Sequence, residues 1–161
     1  MSTQEATEKS RILLVDDQAI VRRGLKMRLG VEPDFEVVGE AEDGRILDQV
    51  EALSPDVVLM DVSMPVMDGI EATAALTASP SRAAVVMLSL HDDARVVGRA
   101  LAAGAVGFVA KDGPEGELAA AIRRAAREYR KARRRNSATF INPLFQVAGS
   151  SRRAVAVRRG A

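Results

Sequence analysis

Five short apolar runs, at residues 12–15 (ILLV), 35–38 (FEVV), 57–60 (VVLM), 85–90 (VVMLSL) and 106–110 (VGFVA), are separated by segments whose apolar residues recur at helical spacing. No other feature of the chain constrains the fold as tightly. Runs of this length, rich in β-branched side chains, read as strands covered on both faces. Between them, Ile20, Gly24, Leu25 and Leu29, then Ile46, Leu47, Val50 and Leu53, then Ile70, Thr73 and Ala74, then Val96, Val97, Ala100 and Leu101 each mark one face of a helix. Leu118, Ile122, Ala125 and Tyr129 mark a fifth, longer helix, expected to start near Pro114 because proline suits a first helical turn. Strand and helix in strict alternation force parallel strands joined by right-handed crossovers, with helices on both faces of one sheet. The expected fold is α/β, a flavodoxin-like doubly wound (βα)5 with a central five-stranded parallel sheet in the order 2-1-3-4-5.

In an open parallel sheet, ligands bind beyond the carboxyl ends of the strands. The first strand ends in Asp16 and Asp17, the third in Asp61, the fourth in Ser89 and the fifth in Lys111, so all five residues belong to that one edge. Three carboxylates in one pocket repel each other unless a cation neutralises them. With oxygen ligands alone on offer, Mg²⁺ is the expected ion, since it uses one or two carboxylates, several waters and phosphate oxygens. Lys111 and Ser89 then face the remaining oxygens of a phosphoryl group. Asp61 reads as the nucleophile that accepts it.

The segments ILLVDDQ, VVLMDVSMPVMDGIEA, VVMLSL and GAVGFVAKD, in that order, resemble the receiver domain of two-component response regulators, in its NarL/LuxR-like branch. The resemblance covers roughly residues 10–130. It implies that Asp61 is the phospho-acceptor, that Asp16, Asp17 and Asp61 bind Mg²⁺ with help from the Ser63 backbone carbonyl, and that Lys111 pairs with the phosphoryl oxygens. It also implies that Ser89 is a switch hydroxyl and Phe108 the aromatic that changes rotamer with it. The implied partner is a histidine kinase, and a homodimer is left open. Asp112 stands where many receivers have proline, which leaves the isomer of the Lys111–Asp112 peptide bond open. Ser89 stands where threonine is more frequent. The branch usually carries a helix-turn-helix output domain after the receiver, and 26 residues follow Arg135, too few for one. DNA binding is doubtful on that account.

Each residue also has a plainer reading. Asp16 and Asp17 could cap the first helix, Asp61 could be a loop carboxylate and Ser89 a turn residue; their joint placement with Lys111 favours the phospho-acceptor. Asp68-Gly69 reads as a turn and helix start. Met64 and Met67 read as packing residues. His91, the only histidine, reads as a loop residue near the site, with tuning of phosphate hydrolysis as the alternative.

Net charge divides the chain. Residues 1–122 hold 11 Lys and Arg against 21 Asp and Glu, and residues 123–161 hold 12 against one, so a body of −10 precedes a segment of +11. Expected divisions are a flexible N-terminus at 1–10, a receiver at 11–134, and a basic linker or disordered tail at 135–161. A local docking of FINPLFQV, residues 140–147, on a neighbouring element is left open. The chain has no cysteine, no signal-peptide core in MSTQEATEKS and no apolar stretch long enough to span a membrane, so a soluble cytoplasmic protein is expected. Two rival functions remain at this point. One is a nucleic-acid-binding regulator acting through the arginine-rich tail. The other is an aspartate-nucleophile phosphatase of the haloacid dehalogenase type, which usually wants a second acid where Ser63 stands.

Overall fold

The alternation of apolar runs and amphipathic segments resolves into one sheet with helices on both faces. The computed structural model describes residues 8–80, 82–90, 93–114, 116–135 and 146–148. In chain order the elements are β1 (Ser10–Val15), α1 (Ala19–Gly30), β2 (Phe35–Ala41), α2 (Leu47–Leu53), β3 (Val57–Asp61), α3 (Gly69–Ala78), β4 (Ala84–Ser89), α4 (Ala94–Ala103), β5 (Gly107–Ala110), α5 (Glu117–Arg134) and β6 (Gln146–Ala148). All pairings are parallel and the order is β2-β1-β3-β4-β5-β6. The first five strands thus have the expected order 2-1-3-4-5. The sixth adds to β5, within the segment 135–161, and comes from the FINPLFQV neighbourhood.

Period-two alternation splits the core into two layers. Ile12, Leu14, Val57, Leu59, Val86, Leu88 and Val109 pack with α1 and α5 on one face. Leu13, Val15, Val58, Met60, Val85, Met87 and Phe108 pack with α2, α3 and α4 on the other. Residues 57–61 are buried throughout, as are 84–89, which is why these segments read as continuous apolar runs rather than as alternating ones. The edge strand β2 is only half covered, and Val38 is an extra residue there, because Ile12 pairs with Val37 and Leu13 with Gly39.

Two helical faces, one helix start and Leu47 of α2, which is 40% exposed, differ from the periodicity. In α1 the inward residues are Arg22, Leu25 and Leu29, whereas Ile20 is 79% exposed and Gly24 has open space beside it. Ile20 stands two residues from Arg22, about 200° around the helix, so the face that buries Arg22 turns Ile20 outward. In α3, Ile70, Ala72, Thr73 and Leu76 are buried, while Ala74 is exposed. The fifth helix begins at Glu117 rather than near Pro114. Gly116, at φ 91°, is the N-cap and lies outside helical geometry, and the Pro114 carbonyl accepts the Glu117 N–H. Met64 and Met67 pack against the core, as expected of packing residues. Among the described residues no peptide bond is cis, so Lys111–Asp112 is trans. No described helix is long and apolar enough to cross a membrane.

Candidate functional site

Parallel strands end together, so the chain's most polar strand termini meet at one edge. Asp16 directly follows β1, and its N–H donates to the Ala41 carbonyl at 3.0 Å. Asp61 is the last residue of β3, next to β1 in the sheet. Lys111 directly follows β5, and its N–H donates to the Ser89 carbonyl at 2.9 Å, which ties the ends of β4 and β5 together. Asp16 and Asp61 are 1% and 5% exposed, whereas Asp17 faces solvent. The Lys111 ammonium bridges the two buried acids, with Nζ 3.3 Å from Asp16 Oδ2 and 3.2 Å from Asp61 Oδ2.

The acids are oriented by local backbone bonds. Asp16 Oδ1 accepts the Gln18 N–H at 2.9 Å, and Asp61 Oδ1 accepts the Ser63 N–H at 3.3 Å. Neither Asp16 nor Asp17 is the N-cap of α1; Gln18 is, without a side-chain cap bond. The plainer capping reading therefore fails for them. It holds for Asp68, whose side chain accepts the Glu71 N–H at 2.8 Å at the start of α3. Gly69 beside it is obligatory for a different reason. A Cβ there would lie 2.0 Å from the Asp61 carbonyl oxygen, so only glycine lets α3 begin this close to the site.

Burial pushes the Asp61 carboxyl above the ordinary carboxylate range and the Asp16 charge adds to that, against the pull of Lys111 and the Ser63 N–H. Burial works against the Lys111 charge, but Asp61 and Asp16 outweigh it and hold its ammonium above the ordinary lysine range. Lys111 is one positive charge among three carboxylates. One oxygen each from Asp16, Asp17 and Asp61 lies within 4.8 Å of the others, an all-oxygen donor set that fits a small hard divalent cation such as Mg²⁺.

Ser89 is buried at the end of β4, opposite Ala110, and Phe108 is fully buried opposite Met87. By strand alternation both belong to the face covered by α3 and α4. Ser63 is exposed, two residues beyond Asp61. His91 lies outside the described residues.

The periodicity of α1 missed Arg22. Its guanidinium, one-tenth exposed, reaches back from the helix to donate to the Asp16 carbonyl at 2.6 Å and to Glu40 at 3.2 Å. It props the acidic loop from behind. The available signal was a cation six residues after a strand-ending acid, which by itself is too common to single out. Beside the site, a groove of about 250 Å³ opens between α1 and the β5–α5 connection, lined by Val21, Gly24, Leu88, Lys111 and Pro114.

Comparisons with known proteins bear on this arrangement. The response regulator receiver domain family matches residues 12–123. The transcriptional regulatory protein DegU of Brevibacillus brevis is 41% identical over 113 residues, covering 70% of this chain and 48% of DegU. The chain thus spans about half the length of that relative. The signal receiver domain of the response regulator NarL from Mycobacterium tuberculosis superposes with a TM-score of 0.71 at 37% identity, over 74% of this chain and 98% of that one. A chain of the CheX–CheY–BeF3–Mg²⁺ complex from Borrelia burgdorferi superposes with a TM-score of 0.63 at 26% identity, over 70% of this chain and 85% of that one. With strand order, edge chemistry and sequence in agreement, this chain belongs to the response regulator receiver domain family.

Proposed function

We propose that Asp61 accepts a phosphoryl group from a histidine kinase or a small phosphodonor, and that the domain reports its phosphorylation state through partner binding in two-component signalling. The observation that carries this reading is the Lys111 ammonium suspended between the Asp16 and Asp61 carboxylates at a sheet edge that also holds Asp17 and Ser89. A carboxylate oxygen of Asp61 attacks phosphorus, an O–P bond forms, and the bond from phosphorus to the donor's nitrogen or oxygen breaks. The leaving group keeps the electron pair: a carboxylate departs as the anion, and a histidine nitrogen departs as neutral imidazole, taking a proton from solvent where its ring does not already carry one. The product is an acyl phosphate, a mixed anhydride that water can later hydrolyse.

Lys111 orients Asp61 before transfer and holds a phosphoryl oxygen afterwards, a charge-assisted contact made stronger by burial. Asp16, Asp17, Asp61 and the Ser63 carbonyl would hold Mg²⁺, which supplies neutralisation of the charge shared by the acids and the incoming phosphoryl group. The added charge of roughly −1.5 to −2 and its acceptor oxygens draw the Ser89 hydroxyl toward Asp61, and Phe108, on the same sheet face, fills the space that movement leaves. Support for the metal comes from the oxygen donor set here and from the Mg²⁺ and BeF3 named with the Borrelia burgdorferi structure.

Intact mass after incubation with acetyl phosphate and Mg²⁺ tests the chemistry. One phosphoryl group should be gained by the full chain, none by Asp61→Ala, and little by Asp17→Asn. Equal labelling of Asp61→Ala would refute the assignment. Ser89→Ala should still be labelled but lose the phosphorylation-dependent change in partner binding. Neither rival function gains an observation. Most of the arginine-rich tail lies outside the described residues, and Ser63 stands where the phosphatase needs its second acid.

A further inference from the structure

The two outer strands of the five-stranded receiver sheet are protected in different ways. An edge strand offers a row of backbone donors and acceptors to any extended segment, and proteins blunt such edges with charge, irregularity or cover. β2 uses the first two: Glu36 and Glu40 lie on it, and Val38 interrupts its register with β1. β5 has neither. Its sequence is GFVA, with no charge and no proline, its pairing with β4 is regular, and Gly107, Phe108 and Val109 are buried. It is instead covered by the chain itself. Gln146, Val147 and Ala148 pair in parallel with Gly107, Phe108 and Val109.

The topology explains how the same chain can supply this cover. A helix that follows a parallel strand runs back across the sheet, so the chain leaves α5 at the amino-terminal edge and its next strand must run parallel to β5. Three residues make a small number of backbone bonds, fewer than any other pairing in the sheet. Tethering keeps the pairing intramolecular and raises the local concentration of this one strand above that of any competitor.

We propose that the β5 edge is a binding site for an extended peptide strand and that Gln146–Ala148 is its intrachain occupant, excluding other strands while it is in place. This goes beyond the phosphorylation chemistry at Asp61 and does not depend on it. Specificity comes from an apolar four-residue edge that takes a parallel strand through its main chain, the mode known as β-augmentation.

The test uses the full chain with Val147→Pro and Ala148→Pro combined. N–H groups of consecutive strand residues point to opposite sides, so one of the two prolines removes a donor to β5. Val147→Gly serves as a milder variant that weakens the strand without blocking a bond. Hydrogen exchange of those amides in residues 107–110 that face β6 should become at least about tenfold faster in the double-proline variant and less so in Val147→Gly, with the amides bonded to β4 and those of β1 and β3 unchanged. A fluorescent LFQVAGS peptide should bind the double-proline variant and not the wild type. Unchanged exchange at 107–110 would overturn the proposal, as would peptide binding that is equal in both proteins or absent from both. So would loss of protection in β1 and β3, which would make β6 part of the core. A wild-type dimer in light scattering that the double-proline variant loses would place the strand between copies and overturn the intrachain assignment.

Discussion

Replacing Arg22 by methionine keeps an unbranched side chain of similar reach in a position that is one-tenth exposed, while removing every donor of the guanidinium. The Asp16 carbonyl then loses its 2.6 Å bond in a buried setting, which costs about 1–3 kcal/mol for an acceptor left without a partner. The Glu40 contact contributes less. Glu40 is 35% exposed and keeps Lys26 at 2.9 Å, so its share is about 0.5 kcal/mol after solvent screening. Glu42, at 3.8 Å and 80% exposed, contributes nothing measurable. The expected loss is about 1.5–3 kcal/mol, or a midpoint lower by about 3–10 °C for a domain of this size. With no tryptophan in the chain, far-UV circular dichroism under heat and urea is the measurement. Arg22→Lys, which reaches one acceptor rather than two, should recover less than half of the loss. Labelling of Asp61 by acetyl phosphate should slow in Arg22→Met, because the loop carrying Asp16 and Asp17 is no longer propped from α1. A loss below about 0.5 kcal/mol would refute the claim that this buried cation braces the acidic loop.

In Mg²⁺-free buffer at pH 7, Asp61→Asn should stabilise the protein by about 0.5–2 kcal/mol, since it removes a buried charge that Asp16 repels. The raised folded pKa means that folding favours the protonated acid, so the gain should be full above the raised folded value, shrink as pH falls through it, and be gone below the unfolded carboxylate value of about 4; urea titrations across pH 3–7 check the sign. Arg123 donates to Asp34 at 2.8 Å, also pairs with Glu32 and lies over the Phe35 ring, and its hydrogen bond holds the Asp34 carboxyl below the ordinary range. Arg123→Met should cost about 0.5–1 kcal/mol, discounted for the exposure of these groups, with the difference full above pH 5 and lost as pH falls through the folded Asp34 value. Gly69→Ala should cost about 3 kcal/mol or more, read from urea midpoints, because the new methyl meets the Asp61 backbone rather than a side chain that can turn away. Ser54, the left-handed C-cap of α2 at φ 48°, should gain about 0.5–1 kcal/mol in stability as Ser54→Gly in the same assay.

The strands of this protein are legible in its sequence because burial on both faces leaves a local mark. A run such as VVLM cannot be satisfied in a loop, and four residues are too few for a helix. Once strands and helices alternate, parallel pairing follows, and every strand's last residue belongs to one edge. Asp16, Asp61, Ser89 and Lys111 could therefore be grouped from residue order alone. The Lys111 contact with Asp16 joins residues 95 apart, yet it needed no long-range information beyond strand order.

What the tertiary structure decided depends on partners that no local pattern names. The inward face of α1 includes Arg22 rather than Ile20, because a buried cation is tolerable only where acceptors meet it, and these come from the Asp16 carbonyl and from Glu40 on β2. Gly69 looks like a turn residue in the sequence; its necessity comes from the Asp61 carbonyl that it approaches across the β3–α3 connection. The α5 start lies past Pro114, with Gly116 at a positive φ as its N-cap. The sixth strand left no readable strand pattern, since three residues hold too few repeats of a two-residue period to establish alternation, although the sequence leaves open a docking of FINPLFQV on some neighbouring element. Its partner is the uncharged edge of β5, a property of the sheet as a whole rather than of QVA.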